Sequence, residues 1–404
     1  MDFNVSTDPP QVVEFRKEVA AWMAEQFKGH EHLRWSASWS TREDAEEYKF
    51  RRGLAEKLGA KGWLFPLYPK KYGGADLTVD HQMVLETELF KYGLNLSHVF
   101  YTLARIVAPV LIRWGTDDQK AEFLPPVMRA EICVWQVLTE PHGGSDIANC
   151  QTKAIRDGDH YVVNGQKTMV GHHLPPDYLW TLVCTNPQGK RHENLAWLHI
   201  PANLPGVEIQ HMDMMMGIKN TVFFDNVRVP AKYLIGGENN GWKVASTHME
   251  LEHGGDGRIA ADPLIERVIE YCRNTHIDGK PLMEDPRVRD LVADMMIELN
   301  TLRRFNQLIY WRRFAKKPHP YGGPQQRYYQ RTMRLRNGER LQAIMGADAL
   351  EQNLSVHEVI DFEYAVRTGP GQLHGGGTLD TDRLIFARRL GLGRPTTEKA
   401  PETD

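Results

Sequence analysis

The residues between Trp135 and His173 could bind and orient a ligand. An apolar run leads into Thr139-Glu140-Pro141, and the flexible turn Gly143-Gly144 then presents Ser145-Asp146. A strand that ends in a loop of small residues can bring backbone amides and a hydroxyl close to a flat or phosphorylated ligand. The same pattern also fits a tight β-hairpin with nothing bound. Residue types and spacing alone leave both interpretations open.

This segment resembles the flavin-binding signature of the acyl-CoA dehydrogenase family, in which a TEPxxGSD loop precedes a DGxxYxxNGxKxW strand pair. The matching positions are Thr139, Glu140, Pro141, Gly144, Ser145, Asp146, Asp157, Gly158, Tyr161, Asn164, Gly165 and Lys167. The resemblance implies a mainly α fold with a central β-domain, flanked by an N-terminal helical domain and a C-terminal four-helix bundle. It implies that the middle domain is a β-sandwich or barrel.

The spacing of apolar residues predicts the same order of elements. Residues 1–130 carry apolar residues at helical spacing, whereas residues 131–236 consist of short apolar runs bounded by turns. After Gly241 the helical period returns. We expect domains at 1–130, 131–236 and 237–394, and a disordered tail at 395–404. The helical segments of the third domain are expected near residues 241–276, 286–316, 325–352 and 380–391.

The resemblance also implies which residues hold a flavin. No Walker loop and no GxGxxG motif follows a predicted strand in this sequence. The isoalloxazine is instead expected between the β-domain and the C-terminal bundle, with carbonyls and amides of residues 136–139 on its pyrimidine side. Ser145 is expected near the flavin phosphate or the pantetheine of the thioester. The residues expected to bind FAD are Gln136, Leu138, Thr139, Ser145, Met169, Gly171, Gln342, Gly346, Thr378 and Asp380.

Three positions depart from the family pattern. Met169 and Gly171 stand where family members have tryptophan and threonine, so an aromatic stacking face and a hydroxyl donor are missing. Thr275 replaces an arginine that in the family reaches the cofactor of a neighbouring subunit. We therefore expect FAD to be held by a different set of groups, and an assembly of two unlike subunits with half of the sites filled is one alternative.

A carboxylate that could act as the catalytic base is expected at Glu252. Removal of a proton next to a thioester requires such a base, and the family's glutamate in a YEGT loop corresponds to Gly376 here. The second family position, on the first helix of the C-terminal bundle, corresponds to Glu252, with His253 in place of arginine. Glu250 points to the other side of that helix. The alternative is that Glu252 is a solvated helix carboxylate.

The substrate-binding residues implied by the resemblance are Ser145, Glu252 and His253. Glycines at 254, 255 and 257 remove side chains after Glu252, which either breaks the helix or admits a wide acyl group. The displaced base and the missing arginine resemble the branch of the family that acts on steroid side-chain CoA thioesters. That branch often forms mixed tetramers, so a homo- or hetero-oligomer is expected.

Composition limits the class of protein. The net charge of −3 over 404 residues gives no general attraction to nucleic acid or anionic membranes. No apolar run reaches the length needed to span a bilayer, and the N-terminus lacks the pattern of a secretory signal. The four cysteines have no CxxC spacing, which favours reduced thiols in a cytoplasmic protein. His30-Glu31-His32 and His172-His173 have no further ligands at suitable spacing, so no metal site is expected.

Three functions remain open at this point. The first is an FAD-dependent acyl-CoA dehydrogenase that passes electrons to an electron-transfer flavoprotein. The second is a non-catalytic partner subunit of the same fold within a heteromeric dehydrogenase. The third is a flavin oxidase or monooxygenase of the same superfamily, which would react rapidly with oxygen.

Overall fold

A computed structural model describes most of the chain, in two compact units. It describes residues 8–36, 45–94, 96, 104–171, 175–215, 217–252, 262–315, 317, 320–351, 360–373 and 375–392. We call one unit the sheet unit; it comprises Ser6–Leu251 and Leu354–His357. The other, the helical unit, comprises Met1–Val5, Glu252–Asn353 and Glu358–Asp404. The predictions for His172-His173, for His253 and the glycines that follow it, and for the tail lie outside the described residues.

The sheet unit begins with the helices that the apolar spacing predicts. They are α1 (Pro10–Gln26), α2 (Glu46–Ala60), α3 (Val79–Phe90), α4 (Ala104–Trp114) and α5 (Asp117–Met128). Pro10 occupies the first turn of α1, where its missing N–H costs no helical hydrogen bond. Thr116 caps α5 in a capping box with Gln119. The buried faces of these helices and of the sheet form one continuous apolar core.

One eight-stranded sheet follows in the described part of this unit. Its strands are β1 (Val134–Val137), β2 (Lys153–Asp157), β3 (His160–Val170), β4 (Tyr178–Cys184), β5 (Leu195–Pro201), β6 (Val207–Met214), β7 (Gly217–Pro230) and β8 (Leu234–Ile235). The order is β6-β7-β3-β2-β4-β5-β8, and β1 pairs in parallel with β4. The chain leaves the sheet at the end of β1 and then enters the turn formed by residues 139–144.

The helical unit contains more helices than the sequence pattern predicted. After α6 (Gly241–Glu252), whose last residue belongs to this unit, come α7 (Pro263–Asn274), α8 (Pro286–Phe314), α9 (Gly322–Met345), α10 (Phe362–Thr368) and α11 (Leu379–Arg389). A two-stranded ribbon, β9 (His276–Ile277) with β10 (Lys280–Pro281), follows α7. The segment expected near 241–276 is thus two helices, since the Asp262 side chain caps a new helix that has Pro263 in its first turn. The short helix α10 was not predicted.

Candidate active site

The turn after β1 is closed by backbone contacts. Glu140 and Gly143 exchange N–H···O bonds of 3.3 and 3.0 Å. A β-carbon on Gly144 would lie 3.0 Å from Cγ2 of Thr139, so the glycine lets the turn fold back onto that threonine. Ser145, the next residue, is exposed. The fold therefore brings Thr139 and Ser145, both expected to bind FAD, to the same turn.

A buried ion pair supports this turn. Nζ of Lys167 lies 2.8 Å from Oε1 of Glu140, and the two side chains are 0% and 5% exposed. Glu140 also accepts backbone N–H bonds from Gln151 and Thr152 at 2.8 and 2.9 Å. Burial alone would raise the pKa of Glu140, but the attraction of Lys167 and these hydrogen bonds outweigh it and lower the pKa to about 2. The Glu140 carboxylate is therefore ionised at neutral pH.

The same lysine fixes the backbone that follows β1. Lys167 donates to the carbonyl of Leu138 at 3.1 Å, and the N–H of Thr168 donates to the carbonyl of Thr139 at 2.8 Å. Sγ of Cys150 lies 3.4 Å from Nζ of Lys167, and burial raises the pKa of this thiol to about 12, so it stays neutral. The carbonyls expected to face a flavin at 138 and 139 thus already accept bonds within the chain.

The two unusual residues near the end of β3 have structural causes. Met169 sits at an irregularity in the pairing of β3 with β7, has φ of 55°, and is 51% exposed. Gly171 has φ of 73°, and a β-carbon there would lie 2.6 Å from the indole ring of Trp135. Trp135 is buried, so its ring fills the space that a threonine at 171 would need. Gly171 supplies no side chain to a ligand, whereas Met169 presents a flexible thioether at the surface of the sheet unit.

In the helical unit, Glu252 lies next to Gly376. A β-carbon on Gly376 would be 3.5 Å from Oε1 of Glu252. Glu252 ends α6 and is half-buried, which is less exposed than a fully solvated helix carboxylate. The two positions considered for a base are therefore neighbours in this fold, and of the two only Glu252 carries a carboxylate.

Two arginines that the sequence analysis missed surround this point. Arg327 and Arg331 lie one turn apart on α9 and donate bonds to the carbonyls of residues 375–377, which we call the glycine loop. Both arginines also pair with Asp382 of α11, at 3.5 and 3.2 Å. The i,i+4 spacing of the arginines was visible in the sequence, but their contact with the glycine loop depends on tertiary packing.

The remaining predicted residues of the helical unit lie at two separate places. The Thr378 hydroxyl accepts a bond from the N–H of Thr381 and caps α11, directly after the glycine loop. Asp380 is 90% exposed and lies 3.7 Å from Arg383. Gln342 and Gly346 are exposed at the C-terminal end of α9, about three helical turns beyond Arg331. Gln342 and Gly346 therefore lie apart from the glycine loop.

The remaining positions named from the sequence are Gln136, Leu138 and Thr275. Gln136 is half-buried on β1, and Leu138 is buried. Thr275 ends α7, where its N–H bonds the carbonyl of Tyr271. Among the described residues, no group of three or more acidic, histidine or cysteine side chains could hold a metal ion. The described helices also include none long and apolar enough to cross a membrane.

Family models match nearly the full length of the chain. The acyl-CoA dehydrogenase N-terminal domain matches residues 10–131, the middle domain matches 136–227, and the C-terminal domain matches 239–391. Acyl-CoA dehydrogenase FadE26 of Mycobacterium tuberculosis is 31% identical over 265 residues. That alignment covers 64% of this chain and 65% of FadE26, which is slightly less than two thirds of the relative's length.

Solved structures with the same fold include two complexes. The Tcur3481-Tcur3483 steroid ACAD has a TM-score of 0.80 and 26% identity, and the alignment covers 98% of this chain and 100% of that one. The ChsE4-ChsE5 complex from Mycobacterium tuberculosis has a TM-score of 0.77 and 25% identity, with coverage of 98% and 100%. The order of helical, sheet and helical domains expected from the sequence is thereby confirmed.

Proposed function

Because this chain belongs to the acyl-CoA dehydrogenase family, we propose that it catalyses FAD-dependent α,β-dehydrogenation of an acyl-CoA thioester to the 2-enoyl-CoA, with an electron-transfer flavoprotein as the electron acceptor. The observation that carries this proposal is the position of Glu252. Its carboxylate adjoins Gly376, the residue that corresponds to the family's other base, and two arginines lie beside the same glycine.

Glu252 would act as the general base in this reaction. A carboxylate can remove the acidic proton next to the thioester carbonyl. Oε1 of Glu252 lies 3.5 Å from the point that a β-carbon on Gly376 would occupy, and Nη2 of Arg327 lies 3.3 Å from the same point. The glycine loop is held by Arg327 and Arg331, so the backbone beside Glu252 is fixed. The chain thus supplies a proton acceptor beside a fixed loop that carries no side chains.

The residues of the sheet unit fit a flat cofactor such as FAD. The Thr139 and Met169 side chains are at least partly exposed, and the Lys167–Glu140 pair fixes the backbone between Leu138 and Glu140. Thr139, Ser145 and Met169 are the residues of this unit that would hold the cofactor. When bound, the flavin supplies the acceptor for the hydride that leaves the β-carbon.

The glycine loop supports a bulky acyl group as the substrate. Gly375 has no heavy atom within 4 Å of its potential β-carbon, whereas the same point on Gly376 lies 3.3 Å from Nη2 of Arg327 and 3.5 Å from Oε1 of Glu252. One structural relative is described as a steroid ACAD. A thioester with a steroid-derived or branched acyl group is therefore the substrate class to test first, which would give the protein a role in lipid degradation.

A second candidate is a partner subunit within a heteromeric dehydrogenase. Gly171 offers no hydroxyl to a flavin because Trp135 occupies its surroundings, and Thr275 stands in place of the family's arginine. Two structural relatives are described as assemblies of unlike chains. In such an assembly, this chain would bind flavin or CoA weakly and would catalyse nothing without the second polypeptide.

One anaerobic titration distinguishes these functions. The purified protein is mixed with steroid, branched and straight-chain acyl-CoA thioesters while flavin absorbance is followed. Bleaching by a thioester and reoxidation by an artificial electron acceptor support the dehydrogenase. A colourless protein that gains activity only with a co-purifying relative supports the partner subunit, and rapid turnover in air without an added acceptor supports an oxidase.

The base assignment is tested with neighbouring glutamates. Glu252→Gln should slow bleaching by a factor of about 100 to 10,000, the usual contribution of a general base, while the flavin stays bound. Glu250→Gln is the matched control because Glu250 is exposed on the same helix two residues earlier. Equal rates in the two variants would remove Glu252 from the mechanism.

A further inference from the structure

Arg331 connects the glycine loop to α11. Its guanidinium donates to the carbonyls of Gly375 and Gly377, and its Nη2 lies 3.5 Å from the carbonyl oxygen of Gly376. Its Nη1 also lies 3.2 Å from Oδ2 of Asp382. A planar group with five donors can hold several acceptors in fixed directions, which a lysine ammonium cannot do in the same way.

The position of this arginine is energetically costly. The Arg331 and Asp382 side chains are only 8% and 2% exposed. Burial is the largest influence on both, lowering the pKa of Arg331 and raising the pKa of Asp382, and their mutual attraction offsets it only in part. Buried pairs of this kind add little to stability compared with apolar packing. The role of the Arg331–Asp382 pair is therefore sought in its effect on a neighbouring charged group.

The charges around the glycine loop favour an ionised Glu252. Its Oε1 lies 3.5 Å from the potential β-carbon of Gly376, and Nη2 atoms of Arg327 and Arg331 lie 3.3 and 3.8 Å from the same point. Asp382 opposes these two cations with a single negative charge. A further cation, Arg334 of α9, acts on Arg331. Among the described side chains at this point, the two arginines and one aspartate therefore leave a net positive charge near the Glu252 carboxylate.

We propose that Arg331 is a positioning residue for Glu252. It fixes the glycine loop beside the carboxylate, and its charge keeps that carboxylate ionised until a proton is transferred. This inference rests on the proposed function, in which Glu252 is the base. When Glu252 accepts the proton, the cluster gains one net positive charge, which stabilises the negative charge that develops on the thioester at the same time. Arg331 therefore keeps Glu252 in place and in the form that can accept a proton.

Direct titration of the Glu252 carboxyl group tests this proposal without enzymatic turnover. The full-length protein is labelled with glutamate carrying ¹³C at the carboxyl carbon, and the Glu252 signal is identified by its loss in Glu252→Gln. In Arg331→Gln, the titration midpoint of Glu252 should rise by about one pH unit or more, because an opposite charge at close range shifts a carboxyl pKa by that amount. In an active preparation, the acidic limb of the kcat/KM pH profile should move in the same direction.

The matched control lies on the same helix. Arg340 pairs with Glu298 at 2.6 Å, away from the glycine loop, so Arg340→Gln removes a comparable guanidinium and should leave the Glu252 midpoint unchanged. If Arg331→Gln does not fold, Asp382→Asn gives the opposite test, since loss of this anion should lower the midpoint. An unchanged Glu252 midpoint in a folded Arg331→Gln or Asp382→Asn protein overturns the proposal. A protein without dehydrogenase activity that still shows the shift would refute the proposed function alone.

Discussion

The Lys167–Glu140 pair of the sheet unit and the Arg331–Asp382 pair of the helical unit both place opposite charges in the protein interior. The first is closed: Lys167 is fully buried, and Glu140 is satisfied by it and by two backbone N–H groups. The second is open, because it carries an additional cation, Arg327, and adjoins the half-buried Glu252. A closed pair stabilises one backbone geometry, whereas an open cluster can respond to the gain of a proton.

The two pairs also show that the residues of the family motif differ from those assigned to catalysis. Glu140 and Lys167 are part of the motif that identifies the family, yet both side chains are used to hold the turn after β1. The carboxylate assigned to catalysis, Glu252, lies outside that motif and beside residues that have no distinctive spacing. The strongest family signature therefore marks a scaffold, and the proposed chemistry depends on contacts between distant segments.

The largest expected effect comes from removing the cation of the Lys167–Glu140 pair. Lys167→Met leaves the Glu140 carboxylate buried without its cation, which should lower the free energy of unfolding by about 3–5 kcal/mol. The Leu138 carbonyl also loses its donor, so the variant should retain less flavin after purification. Urea unfolding and the ratio of flavin to protein absorbance measure both effects. Lys153→Met, on the exposed side of β2, is the control and should change stability by less than about 0.5 kcal/mol.

A smaller effect is expected from protonation of a buried histidine, His199, in the sheet unit. His199 is fully buried and stacks on Tyr178 at 4.3 Å, and burial lowers its pKa to about 3 from the usual 6.5. Stability from a neutral His199 is complete above pH 6.5 and is lost as the pH falls from 6.5 towards 3, at about 1.4 kcal/mol per pH unit.

His199→Phe should reduce this acid sensitivity while keeping the ring packing. Unfolding free energies between pH 5 and 7 should then fall less steeply with acid than in the wild-type protein, and tryptophan fluorescence would follow the sheet unit. His276→Gln, on the exposed ribbon, should retain the wild-type slope. An identical slope in His199→Phe and the wild type would mean that this histidine is already protonated or solvated in the folded protein.

The smallest effect is expected at the glycine loop. Gly376 has φ of 64°, so Gly376→Ala should cost about 1–2 kcal/mol of stability from backbone strain, and the added methyl group would contact Glu252 and Arg327. Gly375→Ala is the control, because its β-carbon meets no heavy atom within 4 Å and should be nearly neutral. Thermal unfolding compares the two variants. Equal losses would show that the glycine loop is not fixed as described.

Much of this architecture could be predicted from residue patterns. The apolar spacing predicted the N-terminal helices and the strands, and the motif predicted the turn after β1. The short helix α10 and the break before Pro263 were missed, because short helices and helix ends depend on local caps such as Asp262. Their positions required the structure.

The predicted site residues lie in both units. The structure supplies physical reasons that spacing could not reveal. Gly171 is a glycine because the ring of Trp135, far away in sequence, fills its surroundings. Arg331 meets the glycine loop only after α9 and α11 pack. Such contacts join segments that are remote in sequence and carry no local signature.

Transfer of the base from one position to the other tests the central claim most directly. Because Gly376 adjoins Glu252, the double variant Glu252→Gln/Gly376→Glu places a new carboxylate beside the vacated position. The rate of anaerobic flavin bleaching by the best thioester is compared with that of Glu252→Gln alone. We expect the double variant to be at least about tenfold faster than the single variant. A folded, flavin-containing double variant that is no faster than Glu252→Gln would contradict it.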